Sequence, residues 1–416
     1  MPQSSARLRR GAVIAVAAGT LLAPIAAGPA GAAPFAPSAG LTAGSPGPSA
    51  TAADVRAMTP EVARRLDVSV RRVMHVANIP GVTVGIWTPG QPSYVRSFGV
   101  ADRSTGRKMA PDLYMRIGSE TKTFTVTALL QLVDRGKARL DDPIGRYVDG
   151  VPGGNRITLR QLAEMRSGLF NYSEDPGFFK ALTADPQRSF TPRQLLAYSF
   201  KHPVMFPPGA KFFYSNTNLI LLGLVVEKQS GQHLGDYIKR NILDPAGMRH
   251  TLFPAGNEFP APHAQGYTEQ TANGGQADAA DWNPSWGWAA GAMISTLEDL
   301  HTWAPTVATG RFPDGRRMVG AATQKQRLIT PATSSITGAG YGLGIFDVQG
   351  WIGHNGSLPG YESLTVHLPS TGTTLVALLN TDTDYRGQEP STVLGEAITK
   401  IISPQHVYDL PLSRTG

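Results

Sequence analysis

The stretch "RIGSETKTF", residues 116–124, decides how the rest of the chain is interpreted. It places Ser119 three residues before Lys122, where a short β-rich run gives way to a helical pattern. If Ser119 begins a helix, the two side chains lie on one helix face, with Cβ atoms about 5–6 Å apart. The pair is then either a nucleophile with its base or a capping serine beside a solvated lysine.

The residues after Lys122 favour the catalytic interpretation. Phe124, Leu129 and Leu132 recur at helical spacing, which predicts a buried helix that ends at Gly136. Burial lowers the pKa of a lysine, and a neutral amine can accept the proton of a serine hydroxyl. Free N–H groups at a helix start can also stabilise an oxyanion. Ser-x-x-Lys alone is weak evidence, however, because many proteins contain it by chance.

A second candidate segment is "GAKFFYSNTNLILLGL", residues 209–224. Tyr214 and Asn216 lie in a polar turn immediately before an apolar helix that ends at Gly231. A tyrosine there can relay a proton beside Lys122, and an asparagine side chain offers both a donor and an acceptor to a substrate amide. The alternative is a half-buried core tyrosine and a helix-capping asparagine.

The third candidate segment is "WIGHNGSLPGY", residues 351–361. His354 and Gly356 lie at the end of a predicted strand, where glycine allows a ligand backbone to approach the strand edge. A lone histidine on a strand is more often structural. A second His-x-Gly begins at His233, but it falls within a predicted helix and is set aside.

Strand-like and helical patterns are segregated along the chain. A helix over about 59–78, capped by Thr59, precedes a β-hairpin over 81–102, and further strands and a helix over about 392–402 complete the chain. Helical patterns fill the middle. The predicted fold class is α+β: an antiparallel sheet built from the N- and C-terminal segments, flanked by helices, with a mainly helical lobe inserted at about 137–290.

Composition excludes several kinds of function. The chain has 416 residues and no cysteine, which rules out cysteine nucleophiles and thiolate metal sites. No basic block interleaved with aromatic residues appears, so we expect no nucleic-acid partner. There is no Gly-x-Ser-x-Gly or His-Glu-x-x-His motif, and "GAGYGLG" (338–344) does not fit a dinucleotide fingerprint. We therefore expect neither a metal nor another cofactor.

In the order Ser-x-x-Lys, Tyr-x-Asn and His-x-Gly, the three segments resemble the penicillin-recognising serine hydrolases. These include class C β-lactamases, secreted DD-carboxypeptidases, and related esterases and D-amino-acid peptidases. The resemblance covers about residues 60–400 and extends to "AEMRSGL" (163–169) and "GAMISTLEDL" (291–300). It implies the β-lactamase/transpeptidase-like form of the predicted fold.

The resemblance also implies roles for individual residues. Ser119 would form the acyl-enzyme, and Lys122 and Tyr214 would transfer protons. Asn216 would contact the substrate amide. On the opposite wall the resemblance implies substrate contacts from His354, Gly356 and Ser357, and an oxyanion hole formed by the backbone N–H groups of Ser119 and Ser357.

Two positions depart from the family pattern. The middle residue of the third motif is commonly a threonine that helps to hold a substrate carboxylate, and here it is Asn355. An arginine that pairs with this carboxylate in some carboxypeptidases aligns with Phe346. Both changes weaken the case for a substrate that ends in a carboxylate. The histidine of the third motif favours peptidases and esterases over dedicated β-lactamases.

Arg7, Arg9 and Arg10, followed by an apolar run and small residues, give the first 32 residues the pattern of a secretory signal. We expect cleavage near Ala32 or Ala33, secretion, and no stable membrane anchor, with a retained anchor as the alternative. Its removal lowers the formal charge from +7 to about +4. A flexible Pro/Ala/Gly/Ser linker over 33–57, the hydrolase domain over 58–405 and a tail over 406–416 are predicted to follow.

These observations predict a secreted, monomeric D-alanyl-D-alanine carboxypeptidase that acts through an acyl-enzyme. The alternatives are an esterase, a D-amino-acid amidase or peptidase, or a β-lactamase of the same family. A further alternative is a protein that binds penicillin or peptidoglycan peptides without hydrolysis. The expected partners are small peptide, ester or amide substrates, including peptidoglycan stem peptides and β-lactams.

Overall fold

The computed structural model describes residues 55–333 and 338–410. Its main sheet is antiparallel and has seven strands in the order β2-β1-β11-β10-β9-β8-β7. Two pairs of short strands, β3 with β6 and β4 with β5, lie outside it. The strands are β1 Gly81–Trp87, β2 Tyr94–Gly99, β3 Met115–Arg116, β4 Tyr267–Thr268, β5 Ala277–Asp278, β6 Ile294–Ser295, β7 Ala339–Tyr341, β8 Phe346–Val348, β9 Trp351–Leu358, β10 Tyr361–Leu368 and β11 Thr373–Leu379.

The helices cover both faces of the sheet and form a lobe beside it. Their bounds are α1 Pro60–Val76, α2 Thr121–Asp134, α3 Leu159–Ala163, α4 Pro176–Ala184, α5 Pro192–Phe200, α6 Asn216–Ser230, α7 Leu234–Ile238, α8 Asp244–Ala246, α9 Leu297–Thr309, α10 Ala321–Arg327 and α11 Pro390–Ile402. Helices α1 and α11 pack together on one face, while α9 packs against β1, β9, β10 and β11 on the other.

The two ends of the chain meet in the sheet, as predicted. Strand β1 pairs with β11 in the register Val82↔Leu379, and β10 and β9 follow beside β11. All seven residues of β11 are buried, as expected for a strand covered on both faces. The predicted α+β fold class with a sheet built from both termini is therefore confirmed.

Local sequence signals explain the start of α1. Thr59 is its N-cap, with its side chain accepting from Val62 N, and a proline occupies the first helical position. Val62, Leu66, Val70 and Val73 form the buried stripe at helical spacing. Each fully buried side chain of this kind contributes about 1.5–3 kcal/mol. The helix begins where predicted and ends at Val76, two residues before the predicted end.

The helix that carries Lys122 is central rather than amphipathic. Every residue of α2 from Thr121 to Leu132 is buried, because α6, α7 and the turn at 288–290 pack around it. The sequence pattern predicted one buried face, whereas the structure buries all sides of the helix as far as Leu132. Threonines fill the remaining sides with hydroxyl groups that bond to backbone carbonyls, such as Thr125 to Ala289 O at 2.8 Å.

The packed chain extends past both ends of the predicted 58–405 domain. Val55 is buried, and Arg56 N donates to Ile402 O at 2.8 Å. Tyr408, assigned above to the tail, is fully buried, and its N–H donates to Thr399 Oγ1 at 2.8 Å. The predicted signal segment, the linker up to residue 54 and residues 411–416 lie outside the described residues. Among the helices over 55–333 and 338–410, none combines the length and apolar character needed to cross a bilayer.

Candidate active site

Ser119 lies in a short 3₁₀ turn, Gly118–Glu120, between β3 and α2. Gly118 has φ +50°, and a Cβ at this position would lie 2.8 Å from Ser357 N. Only glycine therefore lets the turn lie directly against β9. Ser119 is half-buried, so its hydroxyl remains reachable from solvent.

Lys122 is placed to act as the base for Ser119. Its Nζ lies 2.7 Å from Ser119 Oγ and donates to Ala290 O at 2.8 Å. The lysine is 0% exposed, and this desolvation holds its pKa well below the usual range, although Glu389 opposes the shift. A neutral amine at this distance can take the hydroxyl proton as the serine attacks.

Tyr214 completes the proton-transfer group. The Lys122 Nζ lies 4.9 Å from the centroid of the Tyr214 ring. Burial raises the pKa of Tyr214 well above its usual range, and a hydrogen bond with Ser119 partly offsets this rise. The phenol is therefore protonated at neutral pH and can pass a proton towards a leaving group.

Strand β9 forms the opposite wall. It pairs with β8 only from Trp351 to Gly353, so the edge from His354 onwards faces the turn that carries Ser119. The turn at Gly118 lies directly against Ser357 of β9, so the two segments predicted to supply the oxyanion hole are adjacent.

The glycines of β9 accommodate the protein's own backbone on the faces of the strand. A Cβ on Gly353 would lie 2.0 Å from Thr365 O, and a Cβ on Gly356 would lie 2.0 Å from Ile117 O. Ser363 Oγ also donates to Ile117 O, at 3.0 Å. Gly356 therefore lets the segment before Ser119 lie against β9, and its predicted contact with substrate stays a prediction.

His354 is the fourth of the eight residues of β9 and therefore lies within the strand, not at its end as predicted. Both of its ring nitrogens contact protein groups. Its Nδ1 lies 2.5 Å from Asn355 O, and its Nε2 lies 3.2 Å from Tyr341 OH. With Nδ1–H bonded to the carbonyl, Nε2 accepts from the tyrosine. Burial, reinforced by Lys122, lowers the pKa of His354 to about 3, so the ring is neutral.

The remaining predicted residues have defined neighbours. Asn216 is the first residue of α6; its Nδ2 donates to Ser173 Oγ at 3.1 Å, and its backbone N–H donates to Asn171 Oδ1 at 3.1 Å. Asn171, rather than Asn216, thus caps this helix. Phe346 is buried, with its ring centroid 4.9 Å from that of His354.

Sequence reasoning missed three groups. Tyr341 lies in the glycine-rich "GAGYGLG", which was considered above only as a dinucleotide fingerprint. Glu389, which bonds to Asn355, lies in a loop with no motif. The third is the carbonyl of Ala290, which carries no side-chain signal. Only Tyr341 carried a signal in the sequence. A large side chain among glycines is expected to fill the space that the glycines leave.

The structure thus brings Ser119, Lys122, Tyr214 and His354 together from three distant segments. His233, placed above within a predicted helix, instead lies at the N-cap position just before α7, and its side chain is 91% exposed. Within the two described ranges, no cluster of three potential metal ligands occurs. The geometry supports nucleophilic attack by a serine whose proton is taken by a buried amine.

A serine nucleophile, a neutral lysine and a tyrosine beside the open part of an antiparallel strand define a serine hydrolase of the β-lactamase and penicillin-binding class. The chain belongs to the family described as Beta-lactamase, whose model matches residues 66–395. This confirms the resemblance inferred from the three motifs.

Individual relatives come from several bacteria. The chain is 26% identical over 285 residues to "Putative penicillin-binding protein PbpX" of Bacillus subtilis (strain 168), covering 68% of this chain and 66% of that protein, just under two thirds. A D-stereospecific amidohydrolase from Streptomyces sp. matches with TM-score 0.70 and 29% identity, and 82% of this chain covers 96% of it. The D-amino acid amidase of Ochrobactrum anthropi SV3, complexed with L-phenylalanine amide, gives TM-score 0.70, 26% identity and the same coverage.

Proposed function

We propose that this chain is an exported amidohydrolase that cleaves amides of D-amino acids through an acyl-enzyme on Ser119. The observation that carries the proposal is the 2.7 Å separation of Ser119 Oγ and Lys122 Nζ where the amine is fully buried. The two solved structures named above support amides of D-amino acids as substrates. The secretory pattern of residues 1–32 supports export.

The mechanism follows from the geometry. Lys122 takes the proton of Ser119 as Oγ attacks the amide carbon, and the N–H groups of Ser119 and Ser357 stabilise the oxyanion. The C–N bond then breaks while the leaving nitrogen receives the proton through Lys122 and Tyr214. Water attacks the resulting ester, gives up a proton to the same base, and releases the acid and free Ser119.

A D-alanyl-D-alanine carboxypeptidase, the first expectation from the sequence, is the second candidate. The similarity to a relative described as penicillin-binding supports it. The identities of Asn355 and Phe346 count against it, because neither supplies the threonine or arginine that the family resemblance associates with a substrate carboxylate. The proposal therefore ranks the amidase, one of the alternatives from the sequence, above the carboxypeptidase.

One experiment tests the proposal directly. The purified protein is incubated with D-phenylalanine amide and with L-phenylalanine amide, and the release of ammonia is measured. We expect the D-amide to be cleaved with a kcat/KM at least about tenfold higher. Intact-protein mass after incubation with a penicillin reports whether an adduct forms on Ser119.

Ser119→Ala supplies the control, because it removes the only proposed nucleophile. We expect it to abolish both ammonia release and the penicillin adduct. Activity that survives this substitution, or an adduct without turnover of any amide, ester or peptide, would contradict the proposal. The second outcome would instead favour a binding protein.

A further inference from the structure

The position of Tyr214 shows which end of the site receives the leaving group. A carbonyl oxygen held near Ser119 N and Ser357 N leaves the nitrogen of the scissile bond on the side of its proton donor. The Tyr214 ring lies 6.2 Å from the ring of His354, centroid to centroid. With the oxyanion hole placed as proposed, the leaving group would lie beside residues 354–355 of β9.

A carboxylate occupies this end of the site. Asn355 Nδ2 donates to Glu389 Oε2 at 2.5 Å, and both side chains are half-buried. Because side chains alternate along a strand, Asn355 points to the opposite face from His354, towards the start of α11. Asn355 directly follows His354, so the Asn355–Glu389 pair lies next to the wall of the site.

Glu389 is not used to cap α11, although it immediately precedes that helix. Its side chain makes no capping hydrogen bond. Instead, Glu362 Oε2 accepts from Ser391 N at 2.7 Å at the start of the helix. Glu362 thus accepts the hydrogen bond at the start of α11, and the Glu389 carboxylate instead bonds to Asn355 of β9.

The charge of Glu389 acts on the reacting groups. It raises the pKa of Lys122 and that of Tyr214, so its field extends to the proton-transfer pair. Burial, with Asp384 adding to it, raises the pKa of Glu389 itself to about 7 against the opposing effects of Asn355 and Lys122. Above this pH, a carboxylate faces the position of the leaving group.

We propose that the Glu389–Asn355 pair determines specificity: it rejects leaving groups with a free carboxylate and admits neutral or cationic ones, such as ammonia or an amino-acid amide. A second anion beside Glu389 would be repelled in a partly dry site, where charges interact more strongly than in water. Phe346, whose ring packs on His354, offers no compensating cation. The inference rests on the proposed function, since it concerns the same acyl transfer.

The test uses two peptides that differ only in the charge of the leaving group, D-Ala-D-Ala and D-Ala-D-Ala amide. The kcat/KM for cleavage of the bond between the two residues is measured at pH 8.5 for each. We expect the wild-type protein to prefer the amide by about 10²-fold. In Glu389→Gln, which keeps an acceptor for Asn355, the preference should fall to within about threefold through faster cleavage of the free acid.

Glu396→Gln is the matched control, because it removes the same charge from the surface of α11, where Glu396 pairs with Lys400. It should keep the wild-type preference. Equal cleavage of the two peptides by the wild-type protein, or an unchanged preference in Glu389→Gln, would overturn the inference and leave the amidohydrolase proposal intact. Cleavage of neither peptide would also overturn the inference, whereas the amidohydrolase proposal is decided separately by ammonia release from D-phenylalanine amide. The wild-type ratio requires no variant, so misfolding of Glu389→Gln cannot hide the answer.

Discussion

The two faces of strand β9 differ in how they are used. On the face towards α2, His354 and Gly356 both contact other parts of the protein. His354 Nε2 lies 3.2 Å from Tyr341 OH, and Gly356 packs against Ile117 O. On the face towards α11, Asn355 is half-exposed and bonded to a carboxylate. Alternate residues of one strand thus separate the chemical step from the choice of substrate.

The largest effect is expected at the base on the closed face. Lys122→Met removes the proton acceptor, so we expect kcat/KM to fall by about 10³–10⁴-fold. Lys228→Met is the matched control, because Lys228 also bonds to a backbone carbonyl, that of Tyr147, but lies at the far end of α6. It should retain activity on D-phenylalanine amide.

The same substitution also tests the electrostatics of burial. Between the depressed pKa of folded Lys122 and about 10.4, the unfolded chain binds a proton that the folded chain does not. Wild-type stability should therefore rise with pH across this window, and Lys122→Met should lose that slope. We expect the variant to be about 1–3 kcal/mol more stable near pH 6, measured by urea unfolding. If Lys122→Met were less stable than the wild-type protein at every pH, Lys122 would have a structural role instead.

Tyr214→Phe should have the next largest effect. Without the phenol, the leaving nitrogen loses its proton relay while the ring still packs near Lys122. We expect kcat to fall by about 10²-fold with little change in KM. Tyr237→Phe, which removes a buried hydroxyl bonded to Arg135, controls for the loss of a core tyrosine. An equal loss in both variants would count against a catalytic phenol.

Gly356→Ala tests whether the closed face depends on backbone contact. The added methyl group would meet Ile117 O and push the turn of Ser119 away from β9. We expect a loss of about 1–3 kcal/mol in the free energy of unfolding and a fall in kcat of about tenfold from the displaced nucleophile. Gly275→Ala, in the exposed loop between β4 and β5, should change neither. Wild-type kinetics in Gly356→Ala would show that the turn tolerates displacement.

The smallest effect is expected for Tyr341→Phe. Its hydroxyl stabilises neutral His354, so removing it should raise the pKa of His354 from about 3. At low pH a protonated His354 would then repel positive charge on Lys122 and hinder its uptake of the serine proton. We expect kcat/KM to fall several-fold at pH 5 and less at pH 8. A pH-independent loss would indicate only a packing defect.

The sequence predicted those features that depend on local pattern. The sheet from both termini followed from segregated strand and helix signals, and the caps of α1 at Thr59 and of α6 at Gly231 followed from standard preferences. Ser119, Lys122 and Tyr214 were found because their chemistry demands particular side chains in a recognisable order.

Features that depend on contacts between distant segments were not predictable. The full burial of α2 reflects neighbours on every side, which a single helical period cannot reveal. The packing of Gly356 against Ile117 O was not predicted, because this approach is set only by the folded chain. Asn355 and Glu389 meet across 34 residues with no shared motif.

The pairing of β1 with β11 has a consequence for when the enzyme becomes active. These strands are about 300 residues apart in sequence. Strand β9, which forms the wall opposite Ser119, is joined to β11 through β10. During synthesis, the serine and its lysine emerge long before the strands that dry and align them. We therefore expect a nascent or truncated chain that lacks β11 to be inactive, because the wall opposite Ser119 cannot form without the sheet.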